Sequence, residues 1–398
     1  MDLPIELVYV IVDRIEDNDT LKACALVCWR LRQPAQGALF KSFTARNGEI
    51  AKADDFLAQS PHIAAYIASM TIELSNSGLD KSPELYPRLL SRLGGLRRCA
   101  LVGDDRLLPG SSAILSQLER LKLYELRLEK LALDLPGLRR VIALAPSLSF
   151  VEVSVPSRGI EISDLNEDAL VGIERLGVYE SPCVCGVLAR LTSTGFHSLE
   201  HFMFSVTSDA EPAFAILAKS AERLRSLALA YKQGKANNST PAILYLPALK
   251  RVTFTVPLHS RSSSWLSSMY STLLSHTTAP SLTSVRITYI PQYTPFCCPA
   301  YLHWDYFLPI LDGTLSSHPA RPHLCWALDL ADKNRAPIQR WRPDAETTTF
   351  DSPHAAFFVP ANEERSFAAF VNGVKSGMPA MATHGRLDFE KILTKQYW

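Results

Sequence analysis

Residues 224–229 read Leu224-Arg225-Ser226-Leu227-Ala228-Leu229, an apolar residue followed three and five positions later by two more. The last two lie two positions apart, so both point to the same side of a short β-strand, and the first lies on the approach to that strand. The same pattern occurs nine times between Ile67 and Ile287, at spacings of 22 to 33 residues. Because nine copies recur at nearly constant spacing, the pattern predicts a stack of parallel strands. The predicted inward pairs are Met70/Ile72, Cys99/Leu101, Leu121/Leu123, Val151/Val153, Leu176/Val178, Phe202/Phe204, Leu227/Leu229, Val252/Phe254 and Val285/Ile287.

Each interval between two strands has room for one helix or irregular segment, as a parallel connection requires. The sequence therefore predicts an α/β fold, a curved solenoid with its parallel sheet on the concave side. Further pairs such as Cys325 with Leu328 and Leu330, and Leu387 with Phe389, predict two more strands. The register of 126–147 and of 288–398 stays open, and 332–361 is expected to be a long loop. Helices are expected at 85–93, 213–217, 265–274, 304–315 and 363–374.

The N-terminus predicts three short helices. Leu3, Leu7, Ile11 and Ile15 recur four positions apart, which is one apolar face of a helix. The run 17–19, Asp-Asn-Asp, offers caps for a second helix, and a third is expected to start near Pro34 and to run to Leu39 and Phe40. Three helices this short bury little apolar surface alone, so they need a partner or the following domain.

This N-terminal segment resembles an F-box, through Leu3-Pro4-x-Glu6-Leu7, Asp19-Thr20-Leu21 and Cys24-x-Leu26-Val27-Cys28 in that order. It departs from the family at Leu31, where a Trp is usual, and Trp29 lies two residues early. The segment 60–63, Ser-Pro-His-Ile, and the repeats after it resemble fungal F-box proteins with divergent leucine-rich repeats. The resemblance divides the chain into an F-box (1–45), a helical junction and cap (46–66) and a leucine-rich-repeat-like solenoid (67–398).

The resemblance implies a subunit that recognises substrates for a Skp–cullin–F-box ubiquitin ligase. Its partners would be a Skp-type adaptor, a cullin bound through that adaptor, and a protein substrate. It also implies that the F-box subunit performs no chemistry and only raises the local concentration of the substrate. The residues expected to contact the adaptor are Leu3, Pro4, Ile5, Leu7, Ile11, Leu26, Val27 and Leu39.

The solvent side of the predicted strands offers a candidate substrate surface. The residue before each inward pair faces outward, and in register these residues are Ser69, Arg98, Arg120, Phe150, Arg175, His201, Ser226, Arg251 and Ser284. Arg98, Arg120, Arg175 and Arg251 would suit an acidic or phosphorylated peptide, and Tyr124 and Tyr179 could flank it. The alternative is a row of solvated arginines whose stems pack at strand starts.

Composition excludes several other classes. The 398 residues have a formal net charge of +1, which argues against general attraction to nucleic acid or membranes. The eight irregularly spaced cysteines suit a reducing compartment rather than a disulfide framework. Without a predicted secretion signal or membrane-spanning stretch, the expected location is intracellular, either cytoplasmic or nuclear.

The sequence predicts no enzyme, cofactor or metal site. Cys183 and Cys185 with His197 and His201 suggest zinc only superficially, because a single residue separates the two cysteines. Cys297-Cys298 is expected to be a pair of inert thiols in a loop. No phosphate-binding glycine motif or catalytic serine motif is present. Two alternatives stay open: a scaffold that binds the Skp adaptor without a degradative role, and an enzyme or repeat binder whose N-terminal helices merely cap the solenoid.

Overall fold

The computed structural model describes residues 3–46, 48–74, 84–155, 172–190, 196–206, 211–231, 245–257, 263–290, 304–329 and 363–392. The chain divides into two compact units, Met1–Gly195 and Phe196–Trp398, which are treated separately below. Cys297, Cys298, Leu330 and the predicted loop 332–361 lie outside the described residues.

The first unit begins with α1 (Ile5–Val12), α2 (Asn18–Val27) and α3 (Trp29–Phe40), which together with Leu3 and Pro4 we call the helical module. Asp17 caps α2, since its carboxylate accepts a hydrogen bond from the Thr20 backbone N–H at 2.7 Å. The module has a small core of its own. Its buried residues are Val8, Val12, Leu21 and Ala35, and the partly buried residues packed against them include Ile15, Cys24, Leu31 and Leu39.

The third helix begins at Trp29, five residues before the predicted start near Pro34. The extended backbone of Cys28 (φ −155°, ψ 159°) separates α2 from α3. The Cys28 carbonyl then accepts a hydrogen bond from the Arg32 N–H at 3.1 Å, so the first turn of α3 closes before the proline is reached. Proline is often found at the first position of a helix, but Pro34 lies inside α3.

The remainder of the first unit is a parallel sheet with helices between its strands. Each strand pairs in parallel with the next one along the chain. Inward residues such as Met70 and Ile72 have no exposed surface. The strands are β1 (Ser42–Ala45), β2 (Ser69–Glu73), β3 (Arg98–Leu108), β4 (Glu125–Leu133), β5 (Ser147–Val151) and β6 (Arg175–Tyr179). The helices are α4 (Ile50–Gln59), α5 (Pro61–Ala64), α6 (Leu85–Ser91), α7 (Ala113–Leu118), α8 (Leu135–Ile142) and α9 (Pro182–Arg190).

The second unit repeats this plan, again with parallel pairing between successive strands. Its core includes a stacked pair, Tyr289 on Trp326, with ring centroids 5.5 Å apart. The predicted α/β class and parallel sheet are therefore confirmed in both units. The strands are β7 (His201–Val206), β8 (Ser226–Tyr231), β9 (Arg251–Pro257), β10 (Ser284–Ile290), β11 (His323–Asp329) and β12 (Leu387–Ile392). The helices are α10 (Glu211–Lys219), α11 (Ser263–Leu273), α12 (Trp304–Ser316), α13 (Glu363–Gly377) and α14 (Pro379–Thr383).

Two of the nine predicted strand registers are wrong. The predicted pair Leu121/Leu123 precedes the strand, and the inward residues of β4 start with Leu126 and Leu128. The backbone decides this, because the Leu121 N–H still bonds to the Leu118 carbonyl at the end of α7. In β5 the inward pair is Leu148 and Phe150, not Val151 and Val153.

The helical module joins the sheet without a linker. Only Lys41 separates α3 from β1, and its carbonyl accepts hydrogen bonds from the N–H groups of Ala68 and Ser69 at 3.1 and 3.0 Å. The sheet therefore begins at Ser42, inside the segment 1–45 that was assigned to the helical domain, and not at Ile67.

A buried ion cluster holds α4 against α6. The Asp54 carboxylate is 1% exposed and accepts hydrogen bonds from Arg88 Nε at 2.6 Å and Arg92 Nε at 2.7 Å. Burial alone would raise the pKa of Asp54, but the hydrogen bonds from Arg92 and Arg88 outweigh it and lower that pKa. Asp54 is thus ionised and paired at neutral pH.

None of the helices in the described part of the chain is long and apolar enough to cross a bilayer.

Candidate functional site

The helical module exposes an unusual number of large apolar side chains. Nine such side chains, each 44% to 82% exposed, lie within its first 29 residues. Other exposed large apolar residues in the described chain, such as Leu107 and Ile310, are scattered. Large apolar side chains exposed in such number on one small module make it the candidate interaction site of the first unit. The nine residues, which we call the apolar surface, are Leu3, Ile5, Leu7, Tyr9, Val10, Ile11, Leu26, Val27 and Trp29.

Local geometry explains why these residues are exposed. In α1, Val8 and Val12 point into the small core, so Leu7 and Ile11, one position before each of them, turn toward solvent. The extended backbone at Cys28 ends α2 and starts α3, which leaves Leu26 and Val27 without a covering helix. Leu26, at 82%, is the most exposed of the nine.

The structure separates the predicted adaptor contacts into two groups. Leu3, Pro4, Ile5, Leu7, Ile11, Leu26 and Val27 are all exposed. Leu39 is only partly exposed and packs against the core of the module. It belongs to the core because α3 turns that side toward Val8 and Val12.

Three residues of the apolar surface were missed by the sequence analysis, namely Tyr9, Val10 and Trp29. Tyr9 and Val10 lie off the four-residue periodicity that defined the apolar face. Trp29 was treated only as a departure from a family pattern. The number of apolar residues in α1 could have indicated their exposure. The helix is apolar around most of its circumference, and such a helix is covered on more than one side when it is buried.

The strands of the first unit present a second surface, which we call the outer face. It consists of the strand positions that alternate with the buried ones. Its first row, in paired register, is Ser69, Arg98, Glu125, Ser147 and Arg175. Three strand spacings separate Arg98 from Arg175, or roughly 14 Å, with Glu125 between them. The arginines therefore do not form a continuous basic row.

Two members of the predicted row do not belong to it. Arg120 lies on the exposed turn after α7, where its N–H donates to the Gln117 carbonyl, and Glu125 occupies its expected place in β4. Phe150 has no exposed surface and is a core residue of β5, so Ser147 takes its place. Both corrections follow from the two register errors. Arg251 is exposed at the start of β9, in the second unit.

The predicted tyrosines lie at opposite ends of the outer face. Tyr124 precedes β4, and the Arg175 guanidinium lies over its ring, with the guanidinium carbon 5.9 Å from the ring centroid. Tyr179 ends β6, where burial, together with the neighbouring Glu180 and Glu152 carboxylates, raises the pKa of its phenol to about 12. Tyr179 is therefore a neutral hydrogen-bond donor at physiological pH.

The described residues contain no cluster of three or more His, Cys, Asp or Glu side chains arranged to hold a metal ion. Cys183 is exposed on α9 and Cys185 is buried there. Burial raises the pKa of the Cys99 thiol to about 12, so this thiol stays protonated and unreactive at neutral pH.

Comparison with known proteins does not indicate what the apolar surface or the outer face binds. No protein-family model matches the chain, and a search of curated proteins finds none that matches it.

Proposed function

We propose that this chain is the substrate-recognition subunit of a Skp–cullin–F-box ubiquitin ligase. In this proposal the apolar surface of the helical module binds a Skp-type adaptor, the adaptor brings a cullin, and the strand units bind the substrate. The proposal joins the sequence resemblance of 3–43 to an F-box with the physical state of those residues.

The observation that supports it most directly is the contrast in exposure inside one small module. Four buried residues form the core, while nine large apolar residues are exposed around it. At about 25 cal/mol per Å² of apolar surface, covering several such side chains contributes several kcal/mol to binding. A partner that offers an apolar groove to α1 and to the α2–α3 corner would gain that free energy.

The exposed residues also lie where the F-box resemblance places adaptor contacts. Leu3 and Pro4 precede α1, and Leu26 and Val27 end α2. Within α2, Leu21 faces the core while Leu26 and Val27 face solvent, so one helix supplies both internal packing and contact surface. A docking module needs both kinds of residue, because it must fold on its own core and still present an apolar surface.

Binding of the purified full-length chain to a Skp-type adaptor tests the proposal, with calorimetry as the measurement. The double variant Leu26→Ser/Val27→Ser is expected to weaken binding by more than about 1.5 kcal/mol if these residues belong to the hot spot. Leu3→Ala/Pro4→Ala is expected to act in the same direction. Because these side chains are exposed, circular dichroism should show an unchanged fold.

Ile310→Ser is the matched control, since Ile310 is an exposed apolar residue on α12 in the second unit. It is expected to bind the adaptor as the unaltered chain does. Absence of adaptor binding by the unaltered chain, or equal binding by a folded Leu26→Ser/Val27→Ser variant, would exclude this function. Retention of a cullin through the adaptor then separates a ligase subunit from a scaffold.

A further inference from the structure

The outer face of β2–β6 has opposite charges at its two ends. Where the strands begin, Arg97, Arg98, Lys122 and Arg175 are exposed. The Arg97 guanidinium donates to the Lys122 carbonyl at 3.3 Å, which places these two residues side by side. We call this end the basic edge. Glu125 and Glu174 also lie there, so the edge is predominantly, not uniformly, basic.

Where the same strands end, carboxylates predominate. Glu73 ends β2, Glu129 lies on the outer face of β4, and Glu152 and Glu180 directly follow β5 and β6. We call this end the acidic edge, and its opposing charges include Lys130 and Arg127, which pairs with Glu129. The Glu152 N–H bonds to the carbonyl of Tyr179, the residue before Glu180, so the two glutamates lie near each other at the end of β6.

The two edges act on a ligand as separate fields. Four residues of strand separate the first outer row from the third, or about 13 Å. The Debye length at physiological ionic strength is about 8 Å, so charges at one edge are largely screened from those at the other. A ligand on the outer face therefore experiences a positive potential at one end and a negative potential at the other.

The backbone of the acidic edge is held in an unusual conformation. Lys130, Glu152 and Glu180 have φ values of 50°, 53° and 50°, and each follows the fifth residue of its strand. Left-handed backbone is costly for residues other than glycine, and such residues cluster at functional sites. The Glu152 N–H donates to the Tyr179 carbonyl at 2.9 Å, which fixes the two neighbouring turns to each other.

Between the edges the outer face is lined mainly by small side chains. The middle row includes Thr71, Ala100, Ser149 and Gly177. Arg127, the long residue of that row, is held by Glu129 in an ion pair of 2.9 Å. Small residues between two charged ends leave space for an extended chain.

We propose that the outer face of β2–β6 binds an extended peptide segment with separated charges. Its acidic residues contact the basic edge, its basic residues contact the acidic edge, and the segment runs along the strand direction. This inference rests on the proposed function, because it specifies the substrate chemistry for that role. A uniformly acidic or phosphorylated segment fits less well, since Glu152 and Glu180 repel it.

Synthetic peptides test the charge order directly by fluorescence anisotropy with the full-length chain. One peptide has three glutamates, four neutral residues and three lysines; a second has the reverse order; a third alternates the same residues. Uniformly acidic and uniformly basic peptides complete the set. One of the two separated peptides is expected to bind roughly tenfold more tightly than the others, the equivalent of about 1.4 kcal/mol.

Charge reversal at each edge sharpens the test. Arg98→Glu/Arg175→Glu and Glu152→Lys/Glu180→Lys are each expected to weaken the separated peptide about tenfold. Lysine suits the second variant because Lys130 already occupies the equivalent backbone position. Glu222→Lys/Arg223→Glu, exposed in the second unit, is the matched control and is expected to change nothing.

Equal binding of the acidic or alternating peptide would overturn the inference, and so would unchanged binding after either reversal. Salt-sensitive self-association, abolished by either reversal in sedimentation experiments, would assign the face to a second copy of this chain and also overturn it. Adaptor binding, measured on the same preparations, fails only if the proposed function fails, so the two ideas can be rejected independently.

Discussion

The helical module and the sheet of the first unit treat their apolar side chains in opposite ways. In the sheet, inward residues such as Ile72, Leu101 and Phe150 have no exposed surface, because strands and helices cover them from every side. In the module, Leu7 and Leu26 are about half and four-fifths exposed although the same helices supply a core. The sheet covers its inward residues within the chain, whereas the module leaves nine large apolar side chains exposed. Apolar residues in the sheet are therefore expected to contribute to stability, and under the proposed function the exposed ones of the module contribute to binding.

The greatest loss of stability is expected when a core side chain of the sheet is removed. Phe150→Ala deletes a ring that lies in register with Leu128 and Val178. We expect the free energy of unfolding to fall by about 3–5 kcal/mol, measured by urea denaturation of the isolated chain. Phe150→Leu, which fills most of the space, is expected to cost clearly less. A loss below about 1 kcal/mol for Phe150→Ala would contradict the close packing of Phe150 in the sheet core.

A smaller loss is expected at the buried ion cluster that joins α4 to α6 within the sheet region. Asp54→Asn keeps the shape of the buried side chain but removes the charge that pairs with Arg88 and Arg92. Both arginines are partly exposed and can be hydrated again, so we expect a loss of about 1–3 kcal/mol at pH 7.

The same variant has a defined pH dependence. The pKa of Asp54 in the folded chain lies below its ordinary value, so its stabilising effect is present above about pH 4 and is lost as the pH falls through the folded-state pKa. Urea denaturation at pH 7 and pH 3 should therefore show a difference between Asp54→Asn and the unaltered chain that shrinks in acid. A difference of constant size would show that the carboxylate charge is not what stabilises the contact.

The smallest effect is expected on the apolar surface itself. Leu26→Ser changes a side chain that is already in water, so the free energy of unfolding of the isolated chain should change by less than about 0.5 kcal/mol. Leu21→Ser, on the same helix but buried, is the matched control and is expected to lose more than about 2 kcal/mol. Similar losses for the two variants would remove the distinction between exposed and core residues in α2.

The sequence predicted most strands because their inward pairs are unambiguous. Leu227 and Leu229 of β8, or Val285 and Ile287 of β10, are apolar residues flanked by polar or small ones. Between Leu118 and Leu133 the chain has leucines at too many alternate positions, so several registers bury a pair equally well. The end of α7 decides among them, and that depends on backbone hydrogen bonds that a residue pattern does not contain.

Some surface residues and strands could be predicted from the sequence and others could not. Exposure of Leu3, Leu7 and Ile11 could be anticipated, because three short helices cannot cover so many apolar side chains. Strand β1 could not be predicted, because Ala45 is its only buried residue and the strand lacks the inward apolar pair that defines the pattern. The acidic edge was missed because only the row at the start of the strands was considered, and Glu152 and Glu180 lie beyond the strand ends.

The direct passage from α3 into β1 also determines how mechanical load enters the molecule. A pull on the helical module along the strand axis is transmitted through Lys41 and loads the hydrogen bonds between β1 and β2 together, in shear. A pull across the strands would instead open them one at a time, beginning at the Lys41 carbonyl. Resistance to detachment of the module therefore depends on the direction of the force.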